Sequence, residues 1–246
     1  MEICKVVIPS HKRATRVLTT QAVDNAIICV AESQAALYRA CNLGIEIVSH
    51  PDSVIGLPLK REWIRKHFGS VFMLDDDITD LKRVYTGKGE DATVDPDVAY
   101  DIIQMTADAA RQAGAFAFGF GVSPNPINYN SLAPIRMSGY LTGCAHGILA
   151  GSRLWYNPEV FNEDYWISLL NAYEHRMIWR DERFYWAQKD TFVNPGGLSE
   201  FRNMNVEEED FKTLQRIFGK EVVTLKKQTT NSKLKHPFQK TLKLPF

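Results

Sequence analysis

The sequence predicts an α/β fold in which helices flank a mostly parallel central sheet. Three observations support this prediction: strand and helix signals alternate through the first hundred residues, an apolar run ends in three aspartates, and turn-forming residues crowd the chain after residue 122. Alternating strands and helices give a parallel sheet because each helix returns the chain to the same edge. A length of 246 residues suits one large domain of this kind.

Local signals define the elements of the first half. Short apolar runs predict five strands, at KVVIPS, AIICVAES, IEIVSH, SVFMLDDD and AFAFGFGV. Helices are expected over roughly Arg16 to Asn25 and at QAALYRACNLG, LPLKREWIRKHFG and DPDVAYDIIQMTADAARQAG. Gly44 and Gly69 end two of these helices, and Asp95 with Pro96 begins the last one.

The composition changes after Ser123. The stretch SPNPINYNSLAPIRMSGYLTGCAHGILAGS is rich in Pro, Gly, Asn and Ser, which predicts loops and short strands. A helix is then expected at NEDYWISLLNAYEHRMI, a strand near RFYWAQ, and a helix over Val206 to Phe218. Because no repeat or linker interrupts the chain, we predict a single domain over 1–246, with an N-terminal half at 1–122, a more irregular part at 123–218 and a basic segment at 219–246.

Composition excludes several classes of protein. The chain is 45% hydrophobic and 24% charged, which excludes a disordered or fibrous protein. No apolar run approaches the ~20 residues needed to span a bilayer, and the chain enters a strand too early for a signal peptide. Four scattered cysteines without a C-x-x-C pair indicate reduced thiols rather than a zinc cluster. We therefore expect a soluble, cytoplasmic protein with no membrane partner.

The formal net charge of zero conceals a basic C-terminal segment. Residues 219–246 contain seven lysines and one acid, Glu221, and so carry a net charge of +6, while the preceding 218 residues sum to −6. Such a segment is either a solvated surface or a contact for a polyanion, which would be a substrate diphosphate or a nucleic acid.

Polar clusters follow three of the predicted strands: PSHKR after the first, AES after the second and DDD after the fourth. Ligands of open parallel sheets bind beyond the carboxyl ends of the strands, so these clusters predict one binding cleft. Each cluster taken alone could also be a helix cap, a turn or a charged loop.

The spacing of the aspartates indicates a metal site. In an extended segment, Asp75 and Asp77 point to one side and Asp76 points to the other. Carboxylates prefer hard cations such as Mg²⁺ or Mn²⁺, which keep positions open for phosphate oxygens. We predict Asp77 as the first metal ligand and Asp75 as the second, with Asp76 meeting a sugar or ribose hydroxyl.

The motifs VVIPSHKRA and FMLDDDI, with an acidic residue after the second strand, resemble the donor half of GT-A-fold glycosyltransferases. Those enzymes bind the diphosphate of a nucleotide-sugar through Mn²⁺ or Mg²⁺ at an Asp-x-Asp motif. The resemblance implies a GT-A-like domain whose N-terminal half binds the nucleotide-sugar and whose middle part lies on the acceptor side. It assigns Glu32 to uracil or ribose, and a C-terminal His, here His236, as a third metal ligand. The residues assigned to the nucleotide and its diphosphate are Pro9, Ser10, His11, Arg13, Lys60 and Arg61; for the last two, a solvated helix face is the alternative.

The stretch FNEDYWISLL resembles the Glu-Asp pair that begins an acceptor-side helix in such transferases. In inverting members, one carboxylate takes the proton of the acceptor hydroxyl, and we favour Asp164 over Glu163 for this role. Helix capping by Asn162 and its acidic first turn is the alternative explanation. Gly143 and His146 lie in a glycine-rich stretch that either floors the acceptor pocket or forms a bulged strand pair.

The motifs NPGGLSEFRN, IPSHKRA and GLPLKREWIRKH are similar to those of a narrower family, the small phage-encoded glycosyltransferases associated with TET-like oxygenases. That family is thought to add sugars to 5-hydroxymethylcytosine in DNA. Lys233 and Lys235 of the basic segment, and the aromatic stretch YNSLAPIRMSGY, would suit a DNA acceptor. For a phage-encoded protein, the cytoplasm would be that of the host.

These patterns predict a metal-dependent glycosyltransferase that moves one hexosyl or pentosyl unit from a UDP-sugar to an acceptor hydroxyl, with DNA as one acceptor. The absence of a Gln-x-x-Arg-Trp signature argues against a processive polymer synthase. Alternative acceptors are a small molecule, a glycan or a protein. A nucleotidylyltransferase would require a glycine-rich loop in place of PSHKRATR, and an inactive nucleotide-sugar-binding protein remains the non-enzymatic alternative.

Overall fold

The centre of the fold is an eight-stranded sheet, seen in a computed structural model that describes residues 3–87, 89–189, 204–226 and 237–244. The strands are β1 (Lys5–Pro9), β2 (Ala26–Ala31), β3 (Glu46–His50), β4 (Val71–Leu74), β5 (Ile78–Arg83), β6 (Ala117–Phe120), β7 (Ile135–Arg136), β8 (Ala145–Ile148), β9 (Ile178–Asp181), β10 (Phe184–Gln188), β11 (Val223–Leu225) and β12 (Lys240–Leu242). The helices are α1 (Glu32–Cys41), α2 (Leu57–Phe68), α3 (Pro96–Ala113), α4 (Glu163–Glu174) and α5 (Met204–Phe218).

The sheet runs in the order β3-β2-β1-β4-β8-β6-β9-β7. β3, β2, β1 and β4 are mutually parallel, and so are β6 and β9. β8 lies between β4 and β6 and is antiparallel to both, and β7 is antiparallel to β9. The predicted α/β class and mostly parallel sheet are confirmed.

Alternate residues of the central strands pack into two hydrophobic cores. Val6 and Ile8 of β1 join the core that includes buried residues of α1 and α3, whereas Val7 of β1 joins the core that includes Ile64 of α2 and Trp166 of α4. A strand covered on both faces in this way is apolar along its whole length, which explains why β1 and β4 appeared as continuous apolar runs. Helices therefore cover both faces of the sheet.

The helix predicted over Arg16 to Asn25 is wrong, since only a single turn of 3₁₀ helix forms there, at Thr19–Gln21. The Thr19 hydroxyl donates to the carbonyl of Asp75 at 2.5 Å and accepts from the backbone N–H of Ile78 at 3.1 Å. The backbone N–H of Leu18 donates to the carbonyl of Asp76. The segment thus braces the aspartate loop, and these bonds replace helical ones.

Other elements also differ from the prediction: β9, β11 and β12 were not predicted. Helix α4 ends at Glu174, because Arg176 adopts a left-handed φ of 67° and the chain then enters β9. β5 was not predicted; it follows the aspartates directly and pairs antiparallel with β10, so that β10 ends beside the aspartate loop. In the part of the chain described by the model, no helix is long and apolar enough to cross a bilayer.

Candidate active site

The carboxyl ends of β1, β2 and β4 open into a cleft of about 1400 Å³. On the donor side, the cleft is lined by residues that follow these three strands, including Arg13, Gln34 and Asp75. Residues 140–144 and the start of α4 form another part of the wall, and residues of β10 and β12 complete it. Parallel strands thus deliver several polar loops to one place.

Asp76 ties the loop after β1 to the loop after β4. One of its oxygens accepts from the Ser10 hydroxyl at 2.5 Å, and the other accepts from Arg13 Nη1 at 2.7 Å. The Tyr38 hydroxyl shares this network, at 2.7 Å from Ser10 Oγ, and accepts from the backbone N–H of Arg13 at 2.9 Å. Because both carboxylate oxygens are engaged and Asp76 is buried, its evident role is to hold the donor loop in place.

Asp75 and Asp77 both reach Gln188, and Asp77 Oδ2 also lies 3.9 Å from Arg13 Nη1. The side-chain amide nitrogen of Gln188, at the end of β10, lies 2.9 Å from Asp77 Oδ1 and 3.4 Å from Asp75 Oδ2. One donor therefore reaches an oxygen of each carboxylate. Burial raises the pKa of Asp75 to about 7, with Asp77 adding to the rise and Arg61 opposing it. Burial also raises the pKa of Asp77.

This pair of carboxylates fits a divalent cation. Two oxygens that converge on one amide N–H₂ could instead converge on Mg²⁺ or Mn²⁺, whose charge would favour the ionised carboxylates that burial disfavours. Within the described ranges, no group of three His, Cys, Asp or Glu side chains could hold a metal ion.

Arg61 connects the aspartates to the start of α4. Its side chain is fully buried, and Nη2 donates to Asp75 Oδ1 at 2.8 Å and to the carbonyl of Gly143 at 2.7 Å. The same nitrogen lies 3.6 Å from Glu163 Oε1. Burial by itself would lower the pKa of Arg61, but Glu163 and Asp75 hold it above its ordinary value. Arg61 is thus a permanent buried cation between two carboxylates.

His146 lies behind Arg61 in the buried strand β8. Its Nδ1 donates to the carbonyl of Thr142 at 2.9 Å, which leaves Nε2 to accept from the Tyr156 hydroxyl at 2.6 Å. Burial, together with the Arg61 cation, lowers the pKa of His146 to about 3. A neutral imidazole with both nitrogens engaged supports the site from within and does not line the cleft.

Lys60 reaches the cleft from α2. Its ammonium donates to the carbonyl of Ser10 at 2.5 Å, and the residue is only 5% exposed. Burial lowers the pKa of Lys60 to about 8, against the effects of Cys29 and Asp76. Lys60 therefore places positive charge beneath the loop after β1, where a diphosphate would need it.

Glu163 and Asp164 begin α4 but occupy different environments. Glu163 is buried, and burial raises its pKa to about 8, with Asp164 adding and Arg61 opposing. Asp164 is less buried; its Oδ2 accepts from the Tyr140 hydroxyl and its Oδ1 from the backbone N–H of Tyr165 at 2.8 Å. Gly143 packs against Asp164, since a Cβ at this glycine would lie 3.3 Å from the Asp164 Cβ.

The start of α4 is held by side chains from the C-terminal part of the chain. Both oxygens of Asp210 on α5 accept from backbone N–H groups, those of Phe161 and Asn162, at 3.1 and 2.7 Å. The ammonium of Lys240 donates at 2.7 Å to both Asn162 Oδ1 and Glu207 Oε2. With side-chain exposures of 1% for Lys240 and 5% for Glu207, this is a buried ion pair beside the acidic turn.

The family comparison matches residues 4–197 to the model of the TET-associated glycosyltransferases. This range is well over half of the chain and contains the aspartates, Arg61 and the Glu163–Asp164 turn. The chain belongs to the TET-associated glycosyltransferase family. The resemblance seen in the sequence is confirmed, and the protein is a glycosyltransferase.

Two further comparisons concern curated proteins and solved structures. No curated protein matches this TET-associated glycosyltransferase. Among solved structures, it is similar to S. aureus TarS 1–349, with 12% identity and a TM-score of 0.47, over 89% of this chain and 72% of that one.

The cleft of the glycosyltransferase contains many of the residues singled out from sequence. On the donor side, Arg61 lies beneath the cleft and not on its wall, and Glu32 is exposed at the start of α1 outside the lining, where Ser33, Gln34 and Asp52 occur instead. The predicted residues that line the cleft are Pro9, Ser10, His11, Arg13, Lys60, Asp75, Asp76, Asp77, Gly143, Glu163 and Asp164.

The basic C-terminal segment of the glycosyltransferase is only partly described. Lys233, Lys235 and His236 lie outside the described residues, as does the motif NPGGLSEFRN. The expectation that Lys240 adds to a polyanion-binding surface is wrong, because its ammonium is buried against Glu207. Its charge stabilises the α4 turn and is not available to a phosphate.

Three residues of the glycosyltransferase site were missed in the sequence: Tyr140, Gln188 and Lys240. Gln188 could have been identified from the sequence, because it is a polar residue at the carboxyl end of the predicted strand RFYWAQ. The aspartates lie in the same position at the end of the strand SVFMLDDD. Tyr140 and Lys240 carried no such signal, since their partners Asp164 and Glu207 lie 24 and 33 residues away.

Proposed function

We propose that this glycosyltransferase transfers one sugar from a UDP-sugar to the hydroxymethyl group of 5-hydroxymethylcytosine in DNA, with Mn²⁺ or Mg²⁺ held by Asp75 and Asp77. The description of the family supports this acceptor, since TET oxygenases hydroxylate the methyl group of 5-methylcytosine. The observation that carries the proposal is that Asp75 and Asp77, which follow β4, line the same cleft as Asp164 at the start of α4. The buried Arg61 joins the two sides through Asp75 and Glu163.

The donor side of the cleft offers cationic and acidic groups to a nucleotide diphosphate. Arg13 and Lys60 bring positive charge to the loop after β1, and Ser33 and Asp52 form a polar edge beyond β2, with the Ser33 hydroxyl donating to Asp52 at 2.7 Å. A divalent ion bound to Asp75 and Asp77 would offset the negative charge that develops on the departing UDP. The chain thus supplies a cationic loop for the diphosphate and a polar edge for the nucleoside.

Asp164 acts as the general base in an inverting displacement. The acceptor oxygen forms a bond to the anomeric carbon while the bond from that carbon to the diphosphate breaks, and UDP leaves with the electron pair. Asp164 takes the proton of the acceptor hydroxyl. Hydrogen bonds from the Tyr140 hydroxyl and the Tyr165 N–H orient its two oxygens. Glu163, whose pKa is about 8, holds a proton near neutrality and is the weaker candidate.

The proposal is tested with the full chain, UDP-glucose and Mn²⁺. UDP release is measured with a duplex containing 5-hydroxymethylcytosine, with an unmodified duplex and without DNA, and the nucleosides are then weighed by mass spectrometry. We expect faster release with the hydroxymethylated duplex, a nucleoside heavier by one hexosyl unit, and loss of both on chelation of the metal.

Each part of the proposal has its own contradicting result. Release that persists in a chelator contradicts the metal. Transfer to a small hydroxylated acceptor with none to DNA contradicts the acceptor and retains the glycosyltransferase. Activity with GDP- or dTDP-sugars, and none with a panel of UDP-sugars, contradicts the donor.

A further inference from the structure

We infer that the DNA acceptor docks on a surface of tyrosine, arginine and apolar side chains beside the cleft. This surface, named here the arginine–tyrosine surface, consists of Tyr85, Ile127, Tyr129, Leu132, Arg136 and Arg183. The inference rests on the proposed function, because it takes DNA as the acceptor.

The surface displays large apolar groups to solvent. Tyr85 is 71% exposed, Ile127 is 87% exposed and Leu132 is 94% exposed. The rings of Tyr85 and Tyr129 stack on each other, with centroids 6.5 Å apart and an interplanar angle of 23°. Exposed apolar groups collected at one place mark binding sites more often than ordinary surface.

Local hydrogen bonds hold these groups outward. The Asn125 side chain accepts from the backbone N–H of Ile127 at 3.1 Å, and the Asn130 side chain accepts from that of Leu132 at 3.0 Å. Each is an Asx turn, in which a side chain replaces the backbone acceptor of a tight turn. The loop is also anchored to β9, since the Glu182 N–H donates to the carbonyl of Pro134 at 2.8 Å. The conformation of the exposed positions is therefore fixed by hydrogen bonds from side chains of the same loop.

Arginines on the surface are arranged with their charge outward. Arg183 is 55% exposed and pairs at 2.6 Å with Asp181, which is 3% exposed. Arg136 is 52% exposed and lies 3.6 Å from Glu182, which is 13% exposed and which also binds the buried Arg180 at 2.5 Å. Two carboxylates thus lie beneath two exposed guanidinium groups, those of Arg136 and Arg183. The outer layer is cationic and fixed in position by the acids below it.

The surface is continuous with the cleft. A small cavity of about 140 Å³ is lined by Tyr129, Arg136 and Val122, and Val122 also lines the main cleft. The loop then leads through β7 to Tyr140, whose hydroxyl binds the proposed base Asp164. A polymer held on the surface would therefore have one of its units within reach of the acceptor wall.

A DNA strand is the partner that this combination suits. Arginines contact phosphates at any sequence, and tyrosine rings stack on a base that has left its duplex, as a base must do to enter an enclosed site. An apolar protein partner would use Ile127 and Leu132 but would offer no further anion to the solvent-facing sides of the Arg136 and Arg183 guanidinium groups. Lys240, one of the lysines that line the cleft, is already paired with Glu207.

The test measures affinity for a fluorescent duplex containing 5-hydroxymethylcytosine over a series of salt concentrations. Replacing both Arg136 and Arg183 with Gln should flatten the slope of log K against log salt by up to roughly 1.8, at about 0.9 for each phosphate contact. Tyr85→Ala and Leu132→Ser should weaken binding at every salt concentration. Matched controls on α1 and after it are Arg39→Gln, at an exposed position, and Leu43→Ser, at a position 85% exposed.

Arg183→Gln leaves the buried Asp181 without its partner and can unfold the protein, so thermal unfolding is recorded for each variant. Arg136→Gln and Tyr85→Ala act at mainly exposed positions and test the surface independently. Unchanged affinity and slope in these two variants, with wild-type protein that binds DNA, overturns the inference and leaves the proposed function standing.

Other outcomes separate the inference from the function on which it rests. Wild-type protein that releases UDP but does not bind DNA overturns both the DNA acceptor and this surface. Variants that lose self-association in sedimentation while keeping their DNA affinity identify the surface as a contact between copies of the chain, which also overturns the inference.

Discussion

At the scale of single residues, Arg61 explains why the acidic groups of the site differ. One buried guanidinium lies 2.8 Å from Asp75 and 3.6 Å from Glu163, and it cannot neutralise both fully in a buried setting. Burial accordingly raises the pKa values of Asp75 to about 7 and of Glu163 to about 8. When neighbouring carboxylates lie in different environments, their pKa values differ, and each can take a different role in the site.

The first prediction concerns the base. Asp164→Asn should lower the transfer rate by about 10² or more, as expected when a general base is lost. Glu163→Gln should change the rate little at neutral pH, because Glu163 already holds a proton there. Single-turnover kinetics of both variants, with donor affinity measured separately, distinguish the two. Equal and mild effects would reduce the pair to a helix cap.

The second prediction concerns the metal. Asp77→Asn should abolish the rise in unfolding temperature that Mn²⁺ with UDP gives the wild type, since ligand binding stabilises the folded state. Without ligands, the variant should be at least as stable as the wild type. The folded protein raises the pKa of Asp77, so the ionised carboxylate is disfavoured there and a neutral amide relieves it.

Thermal shift assays with and without Mn²⁺ and UDP check both parts. Gln112→Ala, on the exposed face of α3, is the control. A large loss of stability in the ligand-free Asp77 variant would show that the aspartate is structural.

At the scale of elements, the start of α4 depends on two segments that come much later in the chain. α5 contributes Asp210 and Glu207, and β12 contributes Lys240. Asn162 precedes α4 but makes no capping bond with its side chain, whose oxygen instead accepts from Lys240. The acidic turn is thus positioned by tertiary contacts, and the capping explanation suggested by the sequence does not hold for Asn162.

The third prediction follows from this ion pair. Lys240→Met should lower the free energy of unfolding by about 3 to 5 kcal/mol, because it removes one partner of a buried ion pair. The double variant with Glu207→Gln should recover much of that loss, since no charge is then left unpaired. Urea unfolding of the wild type, both single variants and the double variant gives the coupling. A double variant whose loss equals the sum of the single losses would contradict the pairing.

The fourth prediction is a pH dependence carried by α5. Burial raises the pKa of Asp210 from 3.8 to about 6, so between these values the folded state binds a proton that the unfolded state releases. The contribution of Asp210 to stability is therefore fully present below pH 3.8 and is lost as the pH rises through about 6.

Urea unfolding between pH 4 and pH 7 should show this pH dependence as a changing difference in the free energy of unfolding between the wild type and an Asp210 variant. The wild type should lose stability relative to Asp210→Asn as the pH rises, whereas Asp97→Asn, at an exposed position of α3, should follow the wild type. A constant difference between the wild type and Asp210→Asn across the range would contradict the prediction.

At the scale of the whole molecule, the features predicted correctly from the sequence are those that a local pattern of residues determines. β1 to β4 are apolar runs with polar residues at their ends, and parallel topology then brings the Asp75 and Arg13 loops together. The helix expected over Arg16 to Asn25 failed because Thr19 bonds to a loop 56 residues away. Lys240 could not be placed for the same reason, since Asn162 is 78 residues distant. Periodicity identifies elements, but it carries no information on which distant group a side chain meets.

The fifth prediction concerns the N-terminal half alone. In the full sheet, β8 pairs with β4 on the side away from β1, so a fragment of residues 1–122 would present the β4 edge unpaired. Exposed apolar edges of this kind associate. We expect the fragment to aggregate when it is expressed or refolded, as measured by sedimentation, while the full chain stays dispersed. A monomeric fragment with cooperative unfolding would contradict this expectation.

The position of β8 also determines when the aspartate loop can be fixed in the nascent chain on the ribosome. The aspartates emerge early, but the backbone N–H of Asp75 is held by the carbonyl of Cys144, and Gln188 reaches the pair only once β10 has been made. Pairings so far apart in sequence form slowly and late. A growing polypeptide therefore carries three mutually repelling carboxylates until the strands that fix them have been made. The arrangement of Asp75, Asp77 and Gln188 is complete only when residue 188 has left the exit tunnel.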